Sequence, residues 1–164
     1  MAGLKYWVWL SEVKGLTNRS KLLLLDHFGT PENVYYADED EYRLVEGIEP
    51  RQIALLAEKS LENADHILGA CSRLGLRLFT MQDADYPMRL RNIFEPPCLL
   101  YVKGQLPVID EEVAVAMVGT RKASPYGIEA AEKIAYGLCR QGAVVISGAA
   151  AGVDSASHRG ALRA

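Results

Sequence analysis

Apolar positions along this chain follow two different patterns. From Leu4 to Leu68 they recur every three or four residues, the spacing of a buried helix face. Beyond Gly75 they gather in short runs bounded by Gly, Pro and charged residues, as buried strands do. In the first stretch Leu22, Leu23, Leu24, Leu25 and Phe28 lie between a polar start, Thr17-Asn18, and a stop, Gly29-Thr30-Pro31, which predicts a helix. A second unit runs through Tyr42, Leu44 and Val45 to Gly47-Ile48, and Pro50 opens a helix with Ile53, Leu55 and Leu56. A third helix covers about 60–74, with Leu61, Ala64, Ile67, Leu68 and Cys71 on one face. In the second stretch Leu76, Leu78 and Phe79 predict a strand and Asp83-Ala84-Asp85-Tyr86-Pro87 a turn. Pro96-Pro97 precedes another strand, Cys98 to Val102, and two further strands lie near 113–118 and 143–146. Between these last two, a helix from Ile128 to Arg140 puts Ala131, Ile134, Ala135 and Leu138 on one face.

The predicted class is α/β: a helical module over 1–70, then over 71–164 the first part of a Rossmann-like parallel sheet domain. Such a sheet usually has about five or six strands, and this sequence predicts four before it stops at Ala164. Either it is a fragment, or the fold completes itself by association, and an open sheet edge favours dimerisation.

Val113 to Gly127, Val-Ala-Val-Ala-Met-Val-Gly-Thr-Arg-Lys-Ala-Ser-Pro-Tyr-Gly, carries the most chemistry. An apolar strand ends at Gly119, a turn with Thr120, Arg121 and Lys122 follows, and Ser124-Pro125 reads as an N-cap and first helical residue. In open α/β sheets ligands sit at such turns. Gly119 lets the backbone come close to a ligand, Arg121 offers a planar cationic fork suited to phosphate, and the helix start adds unpaired N–H groups. A second turn of the same kind, Ser147-Gly148-Ala149-Ala150-Ala151-Gly152-Val153-Asp154, follows the strand Ala143 to Ile146. Asp154 reads there as the N-cap of a helix over Ser155 to Leu162. Adjacent parallel strands would bring both turns to one rim and form one anion pocket from Gly119, Thr120, Arg121, Lys122, Ser147, Gly148 and Gly152. Tyr126 beside it is a stacking candidate.

Charge sharpens this picture. The chain of 164 residues has a net charge of −3. Residues 1–112 carry 12 Lys/Arg against 18 Asp/Glu and residues 113–164 carry 6 against 3, so the basic excess lies where the glycine turns are. The run Asp38-Glu39-Asp40-Glu41 reads as a solvated loop or helix start. Cys71, Cys98 and Cys139 lack the close spacing of a zinc or redox motif and read as free thiols in a reducing cytosol. No apolar run approaches the ~18 residues that span a membrane, and Met1 to Lys5 lacks a signal peptide's layout. No metal or cofactor is expected, and the chain reads as cytoplasmic.

Two segments form a weak repeat: Glu12-Val13-Lys14-Gly15-Leu16-Thr17 and Leu44-Val45-Glu46-Gly47-Ile48-Glu49 each precede a helix, in the outline of a helix-hairpin-helix. Neither has the second glycine that phosphate contact favours, so a packing role is preferred. Tyr6-Trp7-Val8-Trp9 reads as core, and His27 and His66 as helix-surface residues. His158 lies four residues after Asp154, so the pair can meet across a helical turn.

Tyr86-Pro87…Leu90, Pro96-Pro97…Leu100-Tyr101-Val102-Lys103-Gly104, Val118-Gly119-Thr120-Arg121 and Ser147-Gly148…Gly152-Val153-Asp154…His158…Ala161-Leu162 together resemble the DNA-processing protein A family (DprA/Smf), in family order. The resemblance implies a sterile-alpha-motif-like or helix-hairpin-helix module before an extended Rossmann-like domain. It also implies dimers that bind single-stranded DNA, protect incoming DNA in natural transformation and load the RecA recombinase. The family's basic pocket centres on the arginine of a Gly-Ser/Thr-Arg turn, which carries over to Arg121, with Gly119 and Ser147-Gly148 beside it. Ala149-Ala150-Ala151 departs from the commoner Leu-Ala-x.

The resemblance favours a non-enzymatic DNA binder. The alternative is a phosphoribohydrolase-like enzyme using the same pocket, for which Asp154 and His158 are the nearby acid–base candidates. A dinucleotide oxidoreductase is disfavoured, because no Gly-x-Gly-x-x-Gly opens the first sheet helix.

Overall fold

A computed structural model describes residues 3–164; Met1 and Ala2 lie outside the described residues. Two compact units divide it, one ending at Leu106 and one covering Pro107–Ala164. In chain order the first holds α1 (Leu4–Glu12), α2 (Asn18–Phe28), α3 (Pro31–Tyr36), α4 (Glu39–Arg43), α5 (Pro50–Leu55), α6 (Glu62–Leu74), β1 (Leu76–Thr80), α7 (Met88–Arg91) and β2 (Leu99–Lys103). The second holds β3 (Ala114–Ala116), α8 (Pro125–Arg140), β4 (Val144–Ile146) and α9 (Val153–Leu162).

Local chemistry sets the helix ends. The Thr17 side chain accepts from Ser20 N at 3.1 Å and starts α2, and Thr30 does the same for α3 ahead of Pro31. The acidic run is a helix start: Asp38 and Glu41 close a reciprocal capping box at 2.9 and 2.8 Å. The two segments of the weak repeat adopt one conformation, with Gly15 and Gly47 both at φ +88°. A Cβ on Gly15 would lie 2.9 Å from Leu55 of α5, and one on Gly47 would lie 3.1 Å from Leu23 of α2. Each hairpin glycine thus admits a leucine from the helix that follows the other, so the repeat serves packing.

The core of this unit gathers Trp7, Val8, Trp9, Leu10, Leu24, Val34, Tyr42, Ile53 and Leu56, joined by Leu99 of β2 and by Cys98 just before it. Full burial of such side chains stabilises by about 1.5–3 kcal/mol each. The Tyr6-Trp7-Val8-Trp9 segment is buried throughout. Polar tips find partners: Trp9 Nε1 donates to the Glu58 carbonyl at 3.3 Å, and the Tyr42 hydroxyl donates to the Val34 carbonyl. Lys21 is buried with its ammonium on the Ser11 carbonyl, and burial lowers its pKa. All three cysteines are free, and burial pushes the Cys98 thiol up.

The strands form two pairs rather than one parallel sheet. β1 and β2 run antiparallel, with Leu78 opposite Tyr101, whereas β3 and β4 run parallel, with Val115 opposite Val145. The expected four-stranded parallel arrangement is corrected here: β1 and β2 are joined through the turn at 83–87 and the short α7, not through a long crossover helix, and parallel pairing needs such a crossover. In the second unit α8 provides it. The α8 face differs in one residue, since Ala131 and Ala135 are buried while Ile134 is 56% exposed. Among the described residues no helix is long and apolar enough to cross a membrane.

Candidate nucleic-acid interface

The parallel pair brings both glycine turns to the carboxyl ends of β3 and β4. Met117 N donates to the Ile146 carbonyl at 2.9 Å, extending the ladder one residue past β3. Ser147, the next residue of the neighbouring strand, donates its hydroxyl to the Met117 carbonyl at 2.7 Å. Two residues further, Gly119 packs so closely on α9 that a Cβ there would lie 2.7 Å from the Val153 Cβ. Val153 N then donates to the Thr120 carbonyl at 3.2 Å. Gly152, at φ +82°, passes so near that a Cβ would stand 2.2 Å from the same carbonyl oxygen. The two turns are therefore one bonded rim.

The first turn leads into α8 as its residues predict. Ser124 Oγ accepts from Gly127 N at 3.1 Å, and Pro125 occupies the first turn. Thr120 Oγ1 accepts from Lys122 N at 3.1 Å, bending the turn between strand and helix. Gly119, Thr120, Arg121 and Lys122 are exposed, and Arg121 and Lys122 make no ion pair among the described residues. Three of the four other cations of this unit are committed: Lys133 pairs with Glu129, while Arg159 and Arg163 both pair with Glu132. The carboxylates at Glu129 and Glu132 are thereby compensated away from the turn, which keeps its positive charge. Tyr126 is 81% exposed at the start of α8, and Val118 is 80% exposed ahead of Gly119.

The second turn differs from expectation at Asp154. The helix α9 begins at Val153 with Gly152 as its cap residue and no side-chain cap. The Thr120 carbonyl takes the first free N–H, so Asp154 is inside the helix rather than capping it. Its carboxylate lies in the first turn, where the helix dipole favours negative charge, and Oδ2 stands 3.0 Å from where a Gly148 Cβ would be. Ala149 adopts φ +55°, rare for a residue with a side chain. His158 sits one turn along α9, but no hydrogen bond joins it to Asp154 among the described residues, and its Nε2 is buried without a partner.

The sequence therefore names the residues of the rim, while the groups that lock it, the carbonyls of Met117 and Thr120 and the side chain of Val153, escape a reading by residue type. Backbone acceptors leave no sequence signal. The only signal for Val153 is its place directly after Gly152.

With this geometry in view, comparison with known proteins gives one family. Residues 77–164 match the family described as DNA recombination-mediator protein A, and the chain belongs to that family. It is 31% identical over 98 residues to the DNA processing protein DprA of Bacillus subtilis, covering 60% of this chain and 33% of that one. Over 162 residues it is 31% identical to protein Smf of Synechocystis, covering 96% and 41%. The X-ray structure of DNA processing protein A from Streptococcus pneumoniae superposes with a TM-score of 0.68 at 29% identity, over 97% of this chain and 54% of that one. The chain thus spans well under half the length of the curated relatives named.

Proposed function

We propose that this chain carries a single-stranded DNA-binding rim of a recombination mediator, one that protects incoming DNA during natural transformation and passes it to RecA. The observation that carries the reading is the bonded rim itself: the Val153-to-Thr120 hydrogen bond sets Arg121 and Lys122, exposed and outside any ion pair among the described residues, beside the Ser147–Gly152 turn. Membership of a family described as a DNA recombination mediator supports it. Arg121 takes a phosphate through its fork and Lys122 adds a second cation. Tyr126 offers a ring for a neighbouring base. The small second turn keeps the rim open to a backbone that must lie close to Gly148 and Gly152. Working as a homodimer in the cytoplasm belongs to the same proposal.

The reading is non-enzymatic. A phosphoribohydrolase needs an acid or base aimed at a glycosidic bond, and Asp154 points its Oδ2 at Gly148 without engaging His158. That arrangement favours binding over catalysis.

The test is fluorescence-anisotropy titration of labelled oligo-dT with the chain and its Arg121→Ala variant at two salt concentrations. Binding that weakens with salt and is lost in the variant, with a reduced salt slope, supports the reading. Equal binding by both proteins removes Arg121 from the site and with it the rim as the DNA contact.

A further inference from the structure

We propose that Asp154 reads bases at the glycine rim: its carboxylate accepts from the N1–H and exocyclic amino groups of a guanine, while Arg121 holds a phosphate of the same strand. This rests on the reading of the rim as a single-stranded DNA site and gives that site a base preference.

Asp154 stands apart among the buried polar side chains. At 8% exposure it is the only buried carboxylate among the described residues. The other side chains that share its burial have protein partners. Lys21 donates to the Ser11 carbonyl, Gln52 to Ser20 Oγ, Thr80 Oγ1 to the Asp83 carboxylate and Ser157 Oγ to the Val153 carbonyl. The Asp154 carboxylate has neither a hydrogen bond nor an ion pair among the described residues. The side-chain atoms that are both sealed from solvent and unpartnered are Arg91 Nε and His158 Nε2, so the Asp154 oxygens remain reachable. A carboxylate withdrawn from bulk water without donors costs free energy that a donor-bearing ligand would relieve.

Its place fits a nucleotide. The Val153 amide donates to the Thr120 carbonyl at 3.2 Å, and Arg121 and Asp154 each follow one end of that bond by one residue. Asp154 Oδ2 lies 3.0 Å from where a Gly148 Cβ would be, so the missing side chain at Gly148 leaves the carboxylate uncovered. A phosphate is repelled there, and what meets Asp154 must donate. Sugars within a DNA strand carry no hydroxyl, which leaves the base edges. Guanine alone sets two donors side by side, N1–H and the exocyclic amino group, and a carboxylate has two oxygens to receive them. Cytosine and adenine offer one amino group beside a ring-nitrogen acceptor. Thymine offers one N–H between two carbonyl oxygens that the carboxylate repels, so oligo-dT is the poorly matched strand.

The experiment titrates the chain with two labelled strands that differ by one group: oligo-dT carrying isolated guanines, and the same strand with hypoxanthine in their place. Hypoxanthine keeps N1–H and lacks the exocyclic amino group. Both strands carry the same phosphates and present the same purine face, so neither salt nor stacking on Tyr126 separates them. The guanine strand is expected to bind about fivefold tighter or more, by the same ratio at low and high salt, and in Asp154→Asn the ratio falls to near one. Equal binding of the two strands by the unaltered chain, with Arg121→Ala weakening both, overturns this inference and leaves the rim reading intact. A guanine preference kept in Asp154→Asn also overturns it and assigns the preference to another group. No binding of either strand by the unaltered chain overturns both readings.

Discussion

The Val153 amide donates to the Thr120 carbonyl at 3.2 Å, and through that bond the turn after β3 caps the helix that follows β4. Two segments separated by the whole of α8 share one hydrogen bond at the proposed binding rim. The rim is therefore a tertiary object: shifting either turn disturbs the other.

That coupling makes the two glycines of the rim unequal under substitution. In Gly152→Ala the new Cβ meets the Thr120 carbonyl oxygen at 2.2 Å and the Arg121 carbonyl oxygen at 2.7 Å, at φ +82°, which a side chain disfavours. Backbone has no rotamer to yield. In Gly119→Ala the obstacle is the Val153 side chain, with Cβ and both Cγ atoms within 2.9 Å. Both variants lose stability, by about 2 kcal/mol or more. Adding Val153→Ala recovers part of the loss in Gly119→Ala and none in Gly152→Ala. Urea denaturation of the four single and double variants, followed by far-ultraviolet circular dichroism, tests the contrast; equal recovery in both backgrounds refutes it.

On the proposed reading, Asp154 places a negative charge beside the turn that a DNA backbone would approach. Asp154→Asn keeps the side chain's size and removes the charge. On the binding reading oligo-dT affinity rises several-fold, more at low salt than at high salt, because a like charge has been removed from the phosphate path. An acid–base role makes the opposite demand, since the same substitution abolishes turnover and has no reason to tighten binding. Weaker oligo-dT binding by Asp154→Asn counts against this rim geometry.

Much of this architecture is legible in the residues alone. Capping residues announce themselves: Thr17, Ser124 and Pro125 place α2 and α8 within a residue or two, and the Arg121 turn shows as strand, glycine, cation and helix start. Asp154 misleads because an acidic residue at a helix start resembles a cap, while the real cap is a carbonyl from another turn. The antiparallel pairing of β1 and β2 is hidden for a related reason. Alternation of strand and helix signals parallel pairing only when the helix is long enough to cross the sheet, and α7, Met88–Arg91, is not.

The second unit carries an acid sensitivity at Glu132. This carboxylate accepts from Arg159 Nε at 2.6 Å and Arg163 Nη1 at 3.1 Å, tying α8 to α9. The Arg159 hydrogen bond, with the two nearby positive charges, holds its pKa below the usual carboxylate value. A depressed folded pKa means the unfolded chain takes up the proton first. The contribution is complete above the unfolded value of about 4.3 and is lost as pH falls through the lower folded value. Amide exchange in α8 and α9, followed from pH 6 to pH 3, should accelerate in the native chain more steeply than in Glu132→Gln. Parallel profiles show that the pair contributes nothing to the acid limb.

At the other end of the scale Tyr42 governs the first unit. Its ring is 2% exposed and its hydroxyl donates to the Val34 carbonyl, so ionisation would bury a phenolate facing a carbonyl oxygen. Burial pushes its pKa up to about 12, with Glu41 and Asp38 adding to the shift. Here the folded value lies above the unfolded value of about 10. The stabilisation is complete below pH 10, falls as the unfolded chain ionises first, and is gone above about 12. Lys21 works in the opposite sense: burial lowers its pKa, so its ammonium burdens the folded state until pH rises through the depressed folded value. Other groups of this unit add to the alkaline profile, among them Tyr6, whose hydrogen bond with Tyr36 helps push its pKa up to about 12, and Tyr42→Phe isolates one contribution. That variant should cost about 1 kcal/mol at pH 7 through the lost hydrogen bond and lose less stability than the native chain between pH 10 and 12. Trp7 and Trp9 are the chain's 2 tryptophans and both sit in this core, so their fluorescence in urea reads the unit directly. Identical alkaline limbs in the two proteins exclude Tyr42 as the titrating group.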